Sequence, residues 1–349
     1  MLIDLHTHTT GSDGSYIPIE VFKSAMKKKI EILSITDHDT LDGVKSLLKE
    51  LTESSEDSSL NSVPNRFAEN GSRNTSSKPS MDEACLWQAL DDGPWTCLFS
   101  ASRILGFSDS RFFKELSDLD ILVFIPGVEI SAEFPKTLHI LGYGLDINNK
   151  ELNSTLKELQ NYRLNRNKRM VENMNNLGFE ISLEELQKKA GGDLIGRPHF
   201  AQLMLEKGYV DSYQEAFDKY LKKGAPLYMN KKRLDPDKAI DLILQSGGIP
   251  VMAHPYQTKL NDEDLRSLIK ELVSYGLKGI EAFYSEHTEE MTSKYLRYAE
   301  EFDLLVTAGS DFHGDNKPET DLGMKVPYCF LQKFLYEIKD NYWLIAHSE

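Results

Sequence analysis

The sequence predicts an α/β fold, either a parallel sheet or an α/β barrel, and three observations support this prediction. Short apolar runs recur along the chain, and most of them are separated by segments with helical periodicity. Strands that alternate with helices are typical of parallel sheets and α/β barrels. Several of the apolar runs end directly before histidine and acidic residues. The length of 349 residues suits one large domain or two smaller ones.

Seven apolar runs are the candidate strands. The segment between the first two, residues 18–29, has helical periodicity and a lysine-rich last turn, which complements the helix dipole. The seven runs cover residues 2–6, 30–36, 120–125, 138–142, 249–253, 278–283 and 304–308.

A first interruption of this alternation lies at residues 52–112. Residues 52–80 are rich in Ser, Asn, Glu and Pro, so we expect a disordered linker there. Residues 81–112 add an apolar patch that includes Trp87 and Trp95. The whole segment is predicted to be an atypical, partly disordered insertion, and the sequence leaves its role open.

A second interruption, residues 151–233, has helical periodicity throughout. Ser182 and Ser212 are each followed three residues later by Glu, which is the pattern of a capping box at a helix start. We expect this segment to form a helical cap subdomain over the strand ends. The barrel itself would then comprise residues 1–51, 113–150 and 234–349.

The composition narrows the classes of function. A net charge of −15 disfavours broad binding to duplex DNA, which requires many cations that neutralise phosphates. The chain contains no apolar run of about 18 residues, and its first residues lack the pattern of a secretory signal. Three cysteines, Cys85, Cys97 and Cys329, are too few for a disulfide framework. We therefore expect a cytoplasmic protein with no membrane partner.

Histidines and carboxylates follow the strand candidates with unusual regularity. Because the carboxyl ends of parallel strands meet at one face of a barrel, these side chains are expected to converge there. Any one of these histidines alone would more often be an ordinary core or surface residue, but so many strand-end clusters are hard to explain structurally, because unpaired buried ionisable groups are costly. The candidate metal ligands are His6, His8, Asp13, His38, Glu129, His139, His254, Asp311 and His313.

This ligand set predicts two or three divalent metal ions. Imidazole and carboxylate together suit Mn, Zn or Fe, and nine ligands exceed what one ion can use. Such ions activate water and neutralise charge on phosphoryl oxygens. Asp39, next to His38, is expected either to orient a ligand imidazole or to contact substrate. His287 and His347 lack such a setting, so we expect both to be surface residues.

The motifs around these residues resemble those of the PHP (polymerase and histidinol phosphatase) family. They read Asp-Leu-His-Thr-His-Thr, Thr-Asp-His-Asp-Thr, Gly-Val-Glu-Ile-Ser, Ala-His-Pro and Gly-Ser-Asp-Phe-His-Gly. The resemblance covers residues 1–50 and 120–325, and it implies a distorted (βα)7 TIM-like barrel with a trinuclear metal site that hydrolyses phosphoesters. All nine family ligand positions are filled here. Residues 52–112 are surplus to the family pattern.

Within this family, the segment Gly196-Arg197-Pro198-His199 resembles the branch of bacterial nucleoside 3′,5′-bisphosphate phosphatases and 5′→3′ exoribonucleases. The resemblance implies that the helical insert supplies phosphate-binding residues. Guanidinium groups match phosphate oxygens well, and Arg163 and Arg166 share a helix face. The expected substrate-binding residues are Asp39, Arg163, Arg166, Arg197 and His199. The alternative is a solvated helix face for Arg163, Arg166 and Arg169, and helix capping or local packing for Arg197 and His199.

The sequence thus predicts a metal-dependent phosphoesterase that acts on a nucleoside 3′,5′-bisphosphate or on the 5′ end of a short RNA. The expected catalytic residues are His6, His8, Asp13, His38, Asp39, His254 and Asp311. A histidinol-phosphate-type phosphatase and an amidohydrolase-like metal hydrolase are the alternative enzymes. A non-catalytic metal-binding or nucleotide-binding module is a further alternative. The metal identity and the oligomeric state are not predicted.

Overall fold

The computed structural model describes residues 1–53, 95–100, 121–190, 195–338 and 341–347, with the backbone alone for 95–100, 346 and 347. The predicted linker at 52–80 and the apolar patch at 81–112 therefore lie largely outside the described residues. Residues 52 and 53 are part of a helix, and residues 95–100 form a strand.

Seven strands follow one another around a distorted (βα)7 TIM-like barrel, and they coincide with the seven predicted runs. The sheet order is β8-β7-β6-β5-β4-β2-β1-β9. The Leu5 amide donates to the carbonyl oxygen of Ala308 (3.1 Å), which brings the first and last barrel strands together. The strands are β1 (Leu2–Asp4), β2 (Ile32–Ile35), β3 (Trp95–Ser100), β4 (Ile121–Ser131), β5 (His139–Tyr143), β6 (Ile249–Met252), β7 (Gly279–Tyr284), β8 (Leu305–Gly309), β9 (Met324–Lys325) and β10 (Trp343–His347).

Strand β5 departs from the parallel arrangement that is typical of alternating strands and helices. This strand is antiparallel to both β4 and β6, with Ser131 opposite His139 and Glu129 opposite Leu141. The connection between β4 and β5 covers only residues 132–138. A parallel crossover needs about a dozen residues or more, so the chain must turn back. As a result His139, at the start of β5, lies at the same end of the barrel as the residues that end the parallel strands.

Helices cover the barrel and form a separate cap. Helix α1 ends at Lys27, close to the predicted 18–29, and it packs with α2 against β2 and β4 through Phe22, Val44 and Leu47. The helices are α1 (Pro18–Lys27), α2 (Asp42–Glu53), α3 (Lys150–Asn176), α4 (Leu183–Ala190), α5 (Arg197–Glu206), α6 (Tyr213–Ala216), α7 (Pro236–Gln245), α8 (Asp262–Ser274), α9 (Glu289–Glu301) and α10 (Tyr328–Glu337).

The cap helices α3 to α6 share a hydrophobic cluster of their own. Met170, Met174 and Phe200 are fully buried within it. The capping box at Ser182 is present, because the Ser182 amide donates to Glu185 (2.9 Å) and the Glu185 amide donates to the Ser182 hydroxyl (3.1 Å). At Ser212 only one of the two hydrogen bonds of a capping box forms, from the Glu215 amide to the Ser212 hydroxyl. The Glu215 carboxylate accepts from the amide of Asp211 instead of that of Ser212.

Strand β10 is not one of the seven barrel strands. It pairs antiparallel with β4 on one side and antiparallel with β3 on the other. Among the helices that the structure describes, none combines the length and the apolar character needed to cross a bilayer.

Candidate metal centre and anion cavity

Glu129 is the centre of a cluster of histidines at one end of the barrel. It lies inside β4 rather than after it, and its side chain is fully buried. Five imidazoles surround its two carboxylate oxygens. The distances are 2.7 Å to His139 Nδ1, 2.8 Å to His38 Nδ1, 2.9 Å to His254 Nε2, and 3.4 Å to both His6 Nε2 and His8 Nε2.

The chain after β1 delivers His6 and His8 to this cluster by running beside the chain after β8. The Asp311 amide donates to the His6 carbonyl oxygen and the His8 amide donates to the Phe312 carbonyl oxygen, both at 2.8 Å. This extended pairing puts both imidazoles on one side, as a two-residue period requires. Gly309 permits the approach, because a Cβ there would lie 2.2 Å from the His6 Cβ.

Backbone strain accompanies these strand ends. Asp39, His254 and Asp311 all have positive φ angles, of 53°, 24° and 59°. Such angles are uncommon for residues other than glycine, and they concentrate at functional sites. In each case the unusual turn directs a side chain of the strand end toward the site.

Two further carboxylates complete the cluster. Asp311 Oδ1 lies 3.1 Å from His8 Nε2 and 3.5 Å from both His6 Nε2 and His313 Nδ1. Asp13 lies 3.4 Å from His313, 3.7 Å from His38 and 3.8 Å from His8. Within the described residues, four groups have ligand atoms close enough to hold a metal ion. They are His8-Asp13-His38-His313, His6-Glu129-His254, His6-His8-Asp311 and His38-Glu129-His139.

The residues present fit divalent metal ions. Among the described residues, buried atoms without a hydrogen-bond partner include His6 Nε2, His8 Nε2, His38 Nδ1 and Glu129 Oε2. A buried polar atom left unpaired costs about 1–3 kcal/mol, so such atoms normally have a partner. These four face one another within the cluster, and borderline divalent ions prefer imidazole and carboxylate donors of this kind.

The protonation states of several ligands also suit metal binding. Burial lowers the pKa of His8 to about 3 and that of His139 to about 4, so both imidazoles are neutral at pH 7. Despite burial, the surrounding histidines hold the pKa of Glu129 and of Asp311 well below the ordinary range. Metals bind neutral imidazoles and ionised carboxylates, which are the forms of these four residues. Despite burial, nearby carboxylates raise the pKa of His6 and raise that of His313 to about 9, so metal binding would displace a proton from these two rings.

Sequence reasoning missed the carboxylate that orients two of these ligands. Glu281 is fully buried in β7, accepts from His6 Nδ1 at 2.9 Å and accepts from the His254 amide at 2.7 Å. A carboxylate that fixes the second ring nitrogen of a ligand histidine sets its tautomer and orientation. The available signal was a glutamate inside the strand candidate 278–283, where it follows Ile280 and precedes Ala282 and Phe283.

Asp311 has partners that the sequence analysis also missed. The Tyr284 hydroxyl donates to Asp311 Oδ2 at 2.7 Å, and Lys317 Nζ lies 3.3 Å from the same oxygen. These contacts leave Oδ1 directed toward His6 and His8. The sequence motifs did not indicate these two contacts with Asp311, because Tyr284 and Lys317 lie on different segments of the chain.

Asp39 orients cations of the cap rather than a histidine. Its carboxylate is buried, lies 2.5 Å from Arg163 and 3.0 Å from Lys231, and accepts from the Ser131 amide at 2.9 Å. Among the described contacts of this carboxylate there is no hydrogen bond to an imidazole. The expectation that Asp39 orients a ligand imidazole is therefore wrong, and its contact with Arg163 ties the barrel to the cap.

A cavity of about 220 Å³ between the cap and the cluster collects positive charge. His38, His139 and Asp13 form its floor. Arg163 and Arg166 face inward and are mostly buried, so the alternative that they lie on a solvated helix face is wrong for both. Arg169 is exposed, which agrees with that alternative. The basic side chains in its lining are Arg163, Arg166, Arg197, Lys231 and Arg233, of which the sequence analysis missed the last two.

The positive charge of this cavity is only partly neutralised. Arg163 and Lys231 share Asp39, and Arg233 lies 3.6 Å from Glu133. In the part of the chain that the structure describes, Arg166 and Arg197 have no carboxylate at ion-pair distance. Arg166 contacts the Asn167 and Ile195 oxygens, and Arg197 contacts the Leu221 carbonyl oxygen and the Tyr228 ring. Burial and the neighbouring arginines lower the pKa of Arg166 to about 10, so it remains charged at pH 7.

Comparisons with known proteins agree with this site. No family model matches the chain. It is 24% identical over 323 residues to a 3′,5′-nucleoside bisphosphate phosphatase of Chromobacterium violaceum, covering 92% of this chain and 90% of the relative. It is 25% identical over 327 residues to the 5′-3′ exoribonuclease Rnm of Escherichia coli, covering 93% and 89%.

A solved structure extends the comparison to the fold. A provisionally named metal-dependent phosphoesterase of Bifidobacterium adolescentis superposes with a TM-score of 0.64 and 26% identity, over 96% of this chain and 94% of that one. The resemblance to the PHP family is confirmed. A barrel with a helical cap explains why the predicted ligands converge at one end of the molecule.

The structure also shows where two other predicted histidines lie. His199 does not line the anion cavity, but it lines a neighbouring cleft, where its Nδ1 accepts from the Gly196 amide at 3.0 Å. His287 is not a surface residue, since it is partly buried among aromatic rings and its Nδ1 bonds to the Ala282 carbonyl oxygen at 3.0 Å. The side chain of His347 lies outside the described residues.

Proposed function

We propose that the protein is a metal-dependent phosphoesterase that removes a phosphate from a nucleoside 3′,5′-bisphosphate. The observation that carries this proposal is the anion cavity, which opens directly onto the ligand cluster. It contains two guanidiniums that have no carboxylate partner among the residues that the structure describes. A cavity rich in arginine and lysine suits a phosphate group. A substrate with two phosphates could place one at the cluster and the other among the arginines.

The nine strand-end residues would hold two or three divalent ions, of Mn, Zn or Fe, and Glu129 is the carboxylate placed to bridge between ligand groups. When bound, such ions activate water and neutralise charge on the phosphoryl oxygens. The protein itself supplies orientation. Glu281 fixes His6, and Tyr284 fixes Asp311. The proposed catalytic residues are those that would hold the metal ions at the reacting phosphate. They are His6, His8, Asp13, His38, His254 and Asp311.

The cap residues would bind the second phosphate. Arg166 and Arg197 contact no carboxylate within the described ranges, while Asp39 holds Arg163 and Lys231 in place beside them. Asp39 is thus proposed as a positioning residue for substrate binding rather than as a catalytic residue. This arrangement agrees with the relative that is named a nucleoside bisphosphate phosphatase.

The 5′ end of a short RNA is the second candidate substrate. One similar protein is named a 5′-3′ exoribonuclease, and a wider cleft adjoins the anion cavity. The net charge of −15 argues against duplex DNA as a partner. We also propose a cytoplasmic location, which the cysteine content suggests.

A substrate panel with metal analysis tests the proposal. We expect hydrolysis of a nucleoside 3′,5′-bisphosphate or of short RNA with Mn²⁺, and weak hydrolysis of histidinol phosphate. Arg197→Ala should lower kcat/KM for the bisphosphate by about ten- to a hundredfold, since a charge-assisted hydrogen bond contributes about 1.5–3 kcal/mol. It should change hydrolysis of an aryl monophosphate little.

The matched control is Arg169→Ala, which removes an exposed guanidinium from the cap. It should leave both substrates unaffected. Equal losses on both substrates in Arg197→Ala would mean that this residue serves the reacting phosphate or the fold. A chain that hydrolyses a C–N bond and no phosphoester would instead support the amidohydrolase alternative. Binding without any turnover would support the non-catalytic module.

A further inference from the structure

A second opening lies beside the anion cavity and also reaches the ligand cluster. It is a cleft of about 620 Å³. Asp13, Arg163, Gly196 and Pro198 line both spaces, so the cleft and the anion cavity are continuous. His313 of the ligand cluster lines the cleft as well. A molecule held at the cluster can therefore extend in two directions.

The two spaces differ in size in a way that separates the parts of a nucleotide. Sites for small molecules usually have volumes of about 300–1,000 Å³. The anion cavity, at about 220 Å³, is smaller than such sites, so it suits a phosphate group rather than a whole nucleotide. The cleft, at about 620 Å³, lies within that range.

The chemistry of the cleft is polar and aromatic rather than cationic. Lys189 forms an ion pair with Glu206, and the carboxylates of Asp13 and Asp315 offset the remaining positive charge. Asn316 lies in the cleft wall, where its Nδ2 donates to the Asp13 carbonyl oxygen at 2.9 Å. Compared with the anion cavity, this cleft offers little to a second phosphate.

His199 and Gln202 provide hydrogen-bonding groups on one face of α5. They are three residues apart, so their side chains are neighbours on the helix. Gln202 Nε2 donates one hydrogen to Glu206 at 3.0 Å, which leaves its second amide hydrogen as a donor. His199 Nδ1 accepts from the Gly196 amide, which places the proton of the neutral ring on Nε2 as a donor. Burial lowers the pKa of His199, so the ring is neutral at pH 7.

Tyr213 provides an exposed aromatic surface in the same cleft. It is 41% exposed, and Phe217 packs on it with the ring centroids 5.2 Å apart. An aromatic ring supported by one neighbour and open to solvent can stack with a planar ligand. Stacking on aromatic side chains is the usual way in which proteins bind unpaired bases.

We propose that this cleft binds the nucleobase of the substrate, which stacks on Tyr213 and receives hydrogen bonds from His199 and Gln202. The inference rests on the proposed function and adds the part of the substrate that the anion cavity cannot hold. In an RNA substrate the same cleft would hold the base of the nucleotide that carries the reacting phosphate. The site would then recognise a nucleotide through two spaces, one for phosphate and one for the base.

The experiment compares a nucleoside 3′,5′-bisphosphate with the base-free ribose bisphosphate on the metal-loaded enzyme. In the wild-type protein we expect the base-free compound to have a KM about tenfold higher, because stacking and base contacts are lost. In Tyr213→Ala and in Gln202→Ala the ratio of the two KM values should fall toward one. Tyr213→Phe keeps the ring and should keep the ratio.

The matched control is Tyr275→Ala, which removes a tyrosine of similar exposure, 39%, from the end of a barrel helix. It should leave the ratio at the wild-type value. A wild-type ratio near one would overturn the proposal, as would an unchanged ratio in both Tyr213→Ala and Gln202→Ala. If the wild-type protein hydrolyses neither compound nor RNA, the proposed function itself is wrong and this inference falls with it.

Discussion

The carboxylate of Glu129 contacts more of the candidate ligands than a single side chain usually can. A fully buried carboxylate is costly unless partners compensate for it, and here five imidazoles lie within 3.4 Å of its oxygens. Its ionised form depends on those neighbours, which hold its pKa well below the ordinary range despite burial. One change at Glu129 should therefore affect several candidate metal groups at once.

Replacing Glu129 with Gln removes one charge while keeping the shape of the side chain. We expect bound metal, measured on the purified protein, to fall with kcat/KM, each by at least about ten- to a hundredfold, since even partners outside the ligand sphere contribute that much. The control is Glu290→Gln, at an exposed position on α9. Full metal content in Glu129→Gln would contradict the assignment of Glu129 as a bridging ligand.

Lys231 predicts a pH dependence of substrate binding. Burial and the charge of Arg163 lower its pKa to about 8. The ammonium group is charged below that pH and neutral above it, so it attracts phosphate only on the acid side. We expect KM for a bisphosphate to increase as the pH rises through about 8, and Lys231→Arg to move this increase to higher pH.

The control for this pH dependence is a phosphomonoester without a second phosphate. Any titration of the cluster itself affects both substrates, whereas Lys231 should affect the bisphosphate alone. Identical pH profiles of KM for the two substrates would refute the role of Lys231 in binding the second phosphate.

At the scale of elements, β5 and the cap decide how the site is built. The short connection before β5 reverses that strand and brings His139 to Glu129. The cap has its own buried cluster, separate from the clusters of the barrel. We propose that residues 151–233 form a subdomain whose role is substrate recognition, with the metal centre built by the barrel.

Phe200→Ala tests this division, because Phe200 is fully buried in the cluster of the cap. Truncating a buried phenylalanine costs about 3–5 kcal/mol of folding free energy. We expect thermal unfolding to begin at a lower temperature and the preference for bisphosphate over aryl monophosphate to decrease. Bound metal should remain at the wild-type level.

The control for this variant is Phe330→Ala, which removes an exposed phenylalanine from a barrel helix and should change both measurements little. If Phe200→Ala loses metal in proportion to bisphosphate activity, the cap and the metal centre depend on each other, and the proposed division is wrong.

At the scale of the whole molecule, the barrel brings several carboxylates into one buried cluster, and metal ions would compensate their charge. Removing metal with a chelator should lower Tm by about 5 °C, because a ligand at a hundred times its Kd stabilises the native state by about 2.7 kcal/mol. Adding Mn²⁺ or Zn²⁺ back should restore Tm. Glu129→Gln should show a smaller shift, and an unchanged Tm in the wild-type protein would contradict a metal-stabilised core.

The sequence was sufficient for the architecture and for the set of candidate ligands. Apolar runs alternating with helical periodicity predict a parallel sheet or a barrel, and the family resemblance implies the barrel. Because parallel strands end at one face, His6, His38, His254 and Asp311 could be placed together without knowing any contact. The periodicity of 151–233 also predicted helices, and Ser182 marked the start of one of them.

Only the tertiary structure decided the contacts between segments distant in sequence. Glu281 reaches His6 across 275 positions, and Asp39 meets Arg163 across 124. Local periodicity carries no information about such pairs, because they depend on how strands and cap are arranged in space. The direction of β5 depended on the length of one connection, and His199 and Arg197 entered different spaces because they occupy different faces of one helix. Residue types along the chain therefore determined which chemistry this protein can perform, and packing determined which groups perform it together.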